Sequence, residues 1–267
     1  MVRWIVTNIP STLFLVILVA CICAATIAGL TFVRRRFPGL AEGKHNDVTN
    51  VGMSVVGPVY GFFIGFIVAF LLSQLATEDE WARTEGTAAI SMTRELNVFA
   101  RADGDRIRQS LMEYEQAALA EWPQAANGRP TPEAETALAG LYSAVQNVKP
   151  RDDRQRVVLM SALRALKELS DARTERLLSA DAGFSPPLAL WAVIFLSSGL
   201  VLAFAVAFGA KQQRWHYAVV TAVSVLVAAN LFLVIELAYP YLGVFAPTPE
   251  PLHAVIKMVQ GQLPQPS

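Results

Sequence analysis

Charge is what this chain has least of. Only 16% of its 267 residues are Asp, Glu, Lys or Arg, against 54% hydrophobic, and the mean hydropathy is +0.40. Soluble domains carry about 25% charged residues, so the deficit points to a membrane protein before any segment is singled out. Acids and bases balance at 22 each, which leaves no basic excess with which to hold a nucleic acid. Cysteine is nearly absent. Cys21 and Cys23 lie in an apolar run and point about 200° apart on a helix, so neither a disulfide nor a thiol site is indicated. His45, His216 and His253 are scattered and suggest no metal cluster. There is no Gly-x-Ser-x-Gly elbow, phosphate loop or His-Glu-x-x-His. The expectation is a protein that is no enzyme and carries no cofactor. Strict period-two alternation is missing too, so the fold class is all-α.

Long apolar runs are there instead. The first extends from Pro10 to Val33 and is followed at once by Arg34, Arg35 and Arg36. It reads as a retained helix. The lipoprotein-like box Leu18-Val19-Ala20-Cys21 is followed by further apolar residues, where a processed lipoprotein turns polar, and a signal peptide has a shorter core. The second run is Val51 to Leu75, the third Pro187 to Phe208, the fourth about Ala218 to Leu237. Each can cross a hydrocarbon layer about 30 Å thick, and none contains Lys or Arg. The organisation is therefore a first transmembrane hairpin (1–76), a helical extramembrane domain (77–186), a second hairpin (187–239) and a tail (240–267). Tyr239 to Gly243 breaks the fourth helix near an interface. The tail carries a short apolar face of Leu252, Val255, Ile256 and Val259, suited to the bilayer surface or to docking on the protein.

The middle region reads as helix throughout. Its first helix continues from the membrane with Ala88, Met92, Leu96 and Phe99 on one side. Ile107, Leu111, Tyr114, Ala118 and Trp122 then follow helical spacing up to Pro123. Beyond a polar loop holding Asn127-Gly128, Thr131-Pro132-Glu133 is a good helix start, with Ala134, Leu138, Leu141, Val145 and Val148 as its buried face. A last helix, from about Asp152 to Leu178, would bury Leu159, Leu163, Leu166 and Leu169.

The second run holds the candidate site. No charged residue occurs from Val48 to Ala76. Gly57, Gly61, Gly65, Ala69 and Ser73 recur every four residues, a helix-packing stripe that permits close backbone approach. The stripe drifts about 40° per step, so it suits a crossing helix, either of the same chain or of a second copy. Phe62, Phe66 and Phe70 recur beside it. They would face lipid, fill a core, or narrow a pore that gates by dewetting. The polar lead-in, with Asn46, Asp47 and Asn50, would cap the helix or form a pore mouth. Asn230 lies deep in the fourth run, where a polar residue marks a helix–helix hydrogen bond or a pathway. Glu236 is placed near a membrane edge. Six Lys or Arg in the two short loops (Arg34, Arg35, Arg36, Lys44, Lys211, Arg214) stand against Arg3 and Lys257, which puts the helical domain outside the cell membrane.

The layout resembles the bacterial bestrophin-like membrane protein family of unknown function and, more distantly, bestrophin channels. The residues that carry the resemblance are Gly57-Pro58-Val59-Tyr60-Gly61, Tyr114, Glu121-Trp122-Pro123 with Gly128, Arg173, Arg176, Trp191, Pro240 and Gly243. Phe62, Phe66 and Phe70 resemble the bestrophin neck, and Trp81-Ala82-Arg83 with Arg94 the helix that follows it. The resemblance implies a homo-oligomer, a pentamer, in membrane lipid, passing inorganic ions through a pore lined by the second helix, with the helical domain in the cytoplasm. From a different class, a non-conducting sensor or scaffold, whose helical domain binds a partner, fits the same residues.

Overall fold

The computed structural model describes residues 10–37, 46–94, 96–127, 129–182, 186–208, 212–238 and 248–262. Every regular element among them is helical: α1 (Ser11–Arg36), α2 (Asn46–Arg94), α3 (Arg101–Glu121), α4 (Pro132–Gln146), α5 (Asp153–Ala182), α6 (Leu188–Ala207), α7 (Gln213–Leu237) and α8 (Glu250–Gln260). Short 3-10 turns, Leu96–Val98 and Trp122–Asn127, follow α2 and α3. The chain divides into two compact units. One comprises Met1–Ser73 and Phe184–Phe245, the other Gln74–Gly183 and Ala246–Ser267, so the boundary falls inside the unbroken helix α2.

The first unit contains α1, α6, α7 and the first part of α2. All four helices are long and apolar enough to cross a membrane. The shortest, α6, has 20 residues and at 1.5 Å per residue is about 30 Å long, just the hydrocarbon thickness. The α1 helix packs along α7 and α6. Phe14 and Ile235 meet Leu18, Trp191 and Phe232 in one cluster; Leu30, Ala205 and Val220 meet Val206, Tyr217 and Val223 in another. Large apolar side chains cover the outside, among them Val16, Phe32, Leu196 and Leu226. In water such a surface would be a liability; in lipid it is the solvated face.

The second unit is built as an ordinary helical domain. Ala88, Met92, Leu96 and Phe99 join Ile107, Leu111, Tyr114 and Ala118 of α3 and Leu138, Leu141 and Val145 of α4 in one core. Thr131 caps α4, accepting a hydrogen bond from Ala134 N at 3.4 Å, with Pro132 in the first turn. Asp152 does the same for α5, accepting from Gln155 N at 2.7 Å. On α5 the buried face is Val158, Ala162, Leu166 and Leu169, while Leu159 and Leu163 stay half-buried at its edge. The α8 helix places Leu252, Val255 and Val259 in this same core against α3. Tyr239 to Gly243 and Gly128 lie outside the described residues.

Candidate functional site

Along α2 the chain presents three different faces. Tyr60, Ile64, Ile67 and Leu71, spaced 4, 3 and 4, are buried. At about 100° per residue, Phe62, Phe66 and Phe70 fall on the far side of the helix, and all three are exposed, at 80%, 66% and 51%. Between these faces lies the small-residue stripe. A methyl group added at Gly57, Gly61 or Gly65 would meet nothing within 4 Å, and Ala69 and Ser73 are exposed as well. Among the described residues, then, Gly57, Gly61 and Gly65 pack against no other helix of this chain. Gly52 is the contrast: its Cα faces the ring of Phe204 so closely that a side chain there would overlap it.

The polar lead-in lies within α2 rather than ahead of it. Asn46 is the first helical residue, Asp47 sits in the first turn, and Asp47 and Asn50 are exposed. By helical phase both fall on the side of the glycine stripe, not of the phenylalanines. Asn230 is half-buried and hydrogen-bonds the Tyr60 hydroxyl, which also accepts from Ser198 Oγ at 3.4 Å. This joins α2, α6 and α7 by polar contacts where lipid offers no alternative partner. A second polar contact ties α1 to α7. Arg34 Nη2 donates to His216 Nδ1 at 2.7 Å, so the imidazole carries its hydrogen on Nε2, which donates to the Ala205 carbonyl at 3.2 Å. Glu236, expected near a membrane edge, is buried within the protein one residue before the end of α7.

The sequence reading missed a buried ionic network in the second unit. Glu85, on α2, accepts from the Tyr114 hydroxyl at 2.6 Å and from Arg176 Nε at 3.1 Å, and both members of the ion pair are fully buried. The Arg176 guanidinium lies over the Trp122 ring, 4.7 Å from its centre. Glu121 receives a fork from Arg173 (Nε at 3.2 Å, Nη2 at 2.8 Å) and the Thr131 amide at 2.8 Å. Arg173 also reaches Glu135 at 3.1 Å. Burial alone would lower both arginine pKa values, but the carboxylates of Glu85 and Glu121 and the hydrogen bonds they accept raise them. Glu115 is different: it is fully buried, and neither carboxyl oxygen has a hydrogen-bond partner. Burial, reinforced by the charge of Glu85, pushes its pKa well above the carboxyl range. Held neutral, Glu115 leaves two buried carboxylates, Glu85 and Glu121, facing two guanidinium groups, with the exposed Glu135 at the edge. Among the described residues no three His, Cys, Asp or Glu side chains are grouped to hold a metal ion.

With this geometry in place the comparisons are decisive. The family model described as the bestrophin-like domain matches residues 7–252. The chain belongs to the bestrophin-like family. A crystal structure of a membrane protein shares the fold, with a TM-score of 0.64 at 17% identity, covering 94% of this chain and 100% of that one. No curated protein matches. In this bestrophin-like chain the motif residues far apart in sequence come together: Tyr114, Glu121, Trp122, Arg173 and Arg176 all meet in the network, and Trp191 stacks on Phe195 at 5.7 Å within the first unit. The motif Glu121-Trp122-Pro123 thus closes the corner between α3 and α4 and pins it to α5. By contrast, Arg83, in the motif expected after the neck, makes only an exposed pair with Asp79 at 3.6 Å.

Proposed function

We propose that the protein is a homo-oligomeric membrane ion channel in which α2 lines the pore and Phe62, Phe66 and Phe70 constrict it. The observation that carries the reading is the state of α2: one face is buried in its own chain, while Phe62, Phe66 and Phe70 are exposed and, among the described residues, Gly57, Gly61 and Gly65 meet no neighbour. Small residues on a membrane helix gain packing energy only where another helix approaches closely. A second copy of α2 supplies that approach. In a ring of copies, the buried face points outward to its own chain, the glycine flank meets the neighbour, and the phenylalanines converge on the axis. A ring of apolar side chains in that place blocks ions by excluding water until it widens. Asp47 and Asn50, on the glycine flank at the start of the same helix, lie at the rim of the mouth beside the neighbouring copy, and the assembly is a pentamer.

Conductance in planar bilayers tests this. Phe62→Ala, Phe66→Ala and Phe70→Ala should each raise it or abolish its gating; a conductance that all three leave unaltered refutes the constriction. Particle images of the detergent-solubilised protein should show five-fold rings with a central hole, and a compact dimer would refute the pentamer. Stable oligomers without ion flux in liposomes would instead favour a non-conducting sensor or scaffold, a reading supported by the ordered helical unit and its buried network.

A further inference from the structure

The second unit contains a cleft of about 390 Å³ at the start of α3, lined by Leu96, Asn97, Phe99, Arg101, Gly104, Asp105, Arg108 and Gln262. Its volume lies within the roughly 300–1,000 Å³ typical of small-molecule sites. Arg101, Gly104 and Arg108 share one face of α3. A methyl at Gly104 would stand 3.3 Å from Arg108 Nη1 and 3.1 Å from the Leu96 carbonyl.

Arg108 is the unusual member. It is 6% exposed, a degree of burial rare for arginine unless it is fully paired. Nη1 donates to Asp105 at 3.0 Å and Nη2 to the Asn97 side-chain oxygen at 2.6 Å, but Nε has no partner. Arg101 is 86% exposed and stands 3.8 Å from the same Asp105. The first turn of α3 has no capping side chain, so the positive end of the helix dipole also favours an incoming anion. Two arginines against one aspartate leave a single positive charge. A monoanion neutralises that charge, whereas a dianion would leave a net negative charge beside Asp105. Asn97 and Gln262 add neutral amides to the lining.

We propose that this cleft binds a small monocarboxylate that carries a further hydrogen-bonding group. The carboxylate meets Arg108 and Arg101 at the start of α3, and the second group meets the amides. The site is independent of the pore reading, because none of its residues lies on the apolar part of α2.

Glycolate is the probe, titrated by calorimetry into the full-length protein in detergent, with inorganic phosphate in a parallel arm. Saturable glycolate binding is expected, weakened roughly tenfold by Arg101→Gln, the cost of one charge-assisted contact, and abolished by Arg108→Gln. Should Arg108→Gln fail to fold, the exposed Arg101 decides. Absence of saturable glycolate binding overturns the proposal, as does unchanged affinity in Arg101→Gln or preferential binding of phosphate. No arm depends on ion flux, so the failure of a channel reading would leave this result standing.

Discussion

Arg176 is the side chain on which the helical unit depends most. It is fully buried, paired with Glu85 at 3.1 Å and 3.8 Å from Glu121, and it covers Trp122. Removing one partner of a buried pair strands the other charge, which costs about 3–5 kcal/mol. Arg176→Ala should therefore lower the thermal midpoint of the purified protein sharply, whereas Arg83→Ala, at an exposed pair, should leave it unmoved. Glu115 makes the opposite prediction. Its folded pKa is raised above the ordinary carboxyl value of 4.5, so the folded state holds a proton that the unfolded state releases. Stability from this group is complete below that value and falls as pH rises toward the folded pKa. Glu115→Gln keeps the neutral form at every pH. It should flatten the decline of melting temperature as pH rises above about 4.5, where unfolded glutamate ionises and Gln does not. An equally steep decline in the variant would show that Glu115 is not the group responsible.

At the scale of the helix, phase explains both what the sequence revealed and what it hid. Apolar positions such as Leu111, Leu138 and Val145 were legible because their period matches a helix packed on one side. The charged members of the network hold the same register: Ala82, Glu85, Ala89 and Met92 on α2 are spaced 3, 4 and 3, and all are buried. Leu166, Leu169, Arg173 and Arg176 on α5 do likewise. A charge in phase with an apolar stripe was the available signal, and in a polar segment it passes for a solvated face. Pairing across α2, α3 and α5 is a matter of tertiary geometry, which no spacing within one helix supplies. Glycines divide in the same way. A Cβ at Gly86 would lie 2.9 Å from Pro251 Cβ and 3.1 Å from its carbonyl. Ala gains up to about 1 kcal/mol over Gly in a helix, but overpacking costs about 1–3 kcal/mol, and a proline ring cannot turn aside. Gly86→Ala should thus destabilise the unit and speed amide exchange in α8, while Gly61→Ala, facing open space, should not.

For the whole molecule, α2 is the helix whose faces differ most in how far their own chain covers them. Four apolar runs and a helical middle gave the architecture, because membrane spans announce themselves by length and lack of charge. The roles of the α2 faces were not legible from that pattern, since Phe serves equally against lipid, core or pore. Burial now separates them. Tyr60, Ile64, Ile67 and Leu71 are satisfied within the chain, and Gly57, Gly61 and Gly65 are not. A stripe used only between copies can be filled without harm to the protomer. Gly61→Leu with Gly65→Leu adds side chains into empty space, so secondary structure and the Glu85–Arg176 core should survive. In the proposed homo-oligomer the close approach of a second helix would be lost, and with it the assembly. Light scattering of the variant in detergent should then give a smaller assembly than the unaltered protein, at an unchanged circular dichroism spectrum. If the assembly keeps its mass, the glycine stripe faces lipid, and the contacts between copies must come from another helix.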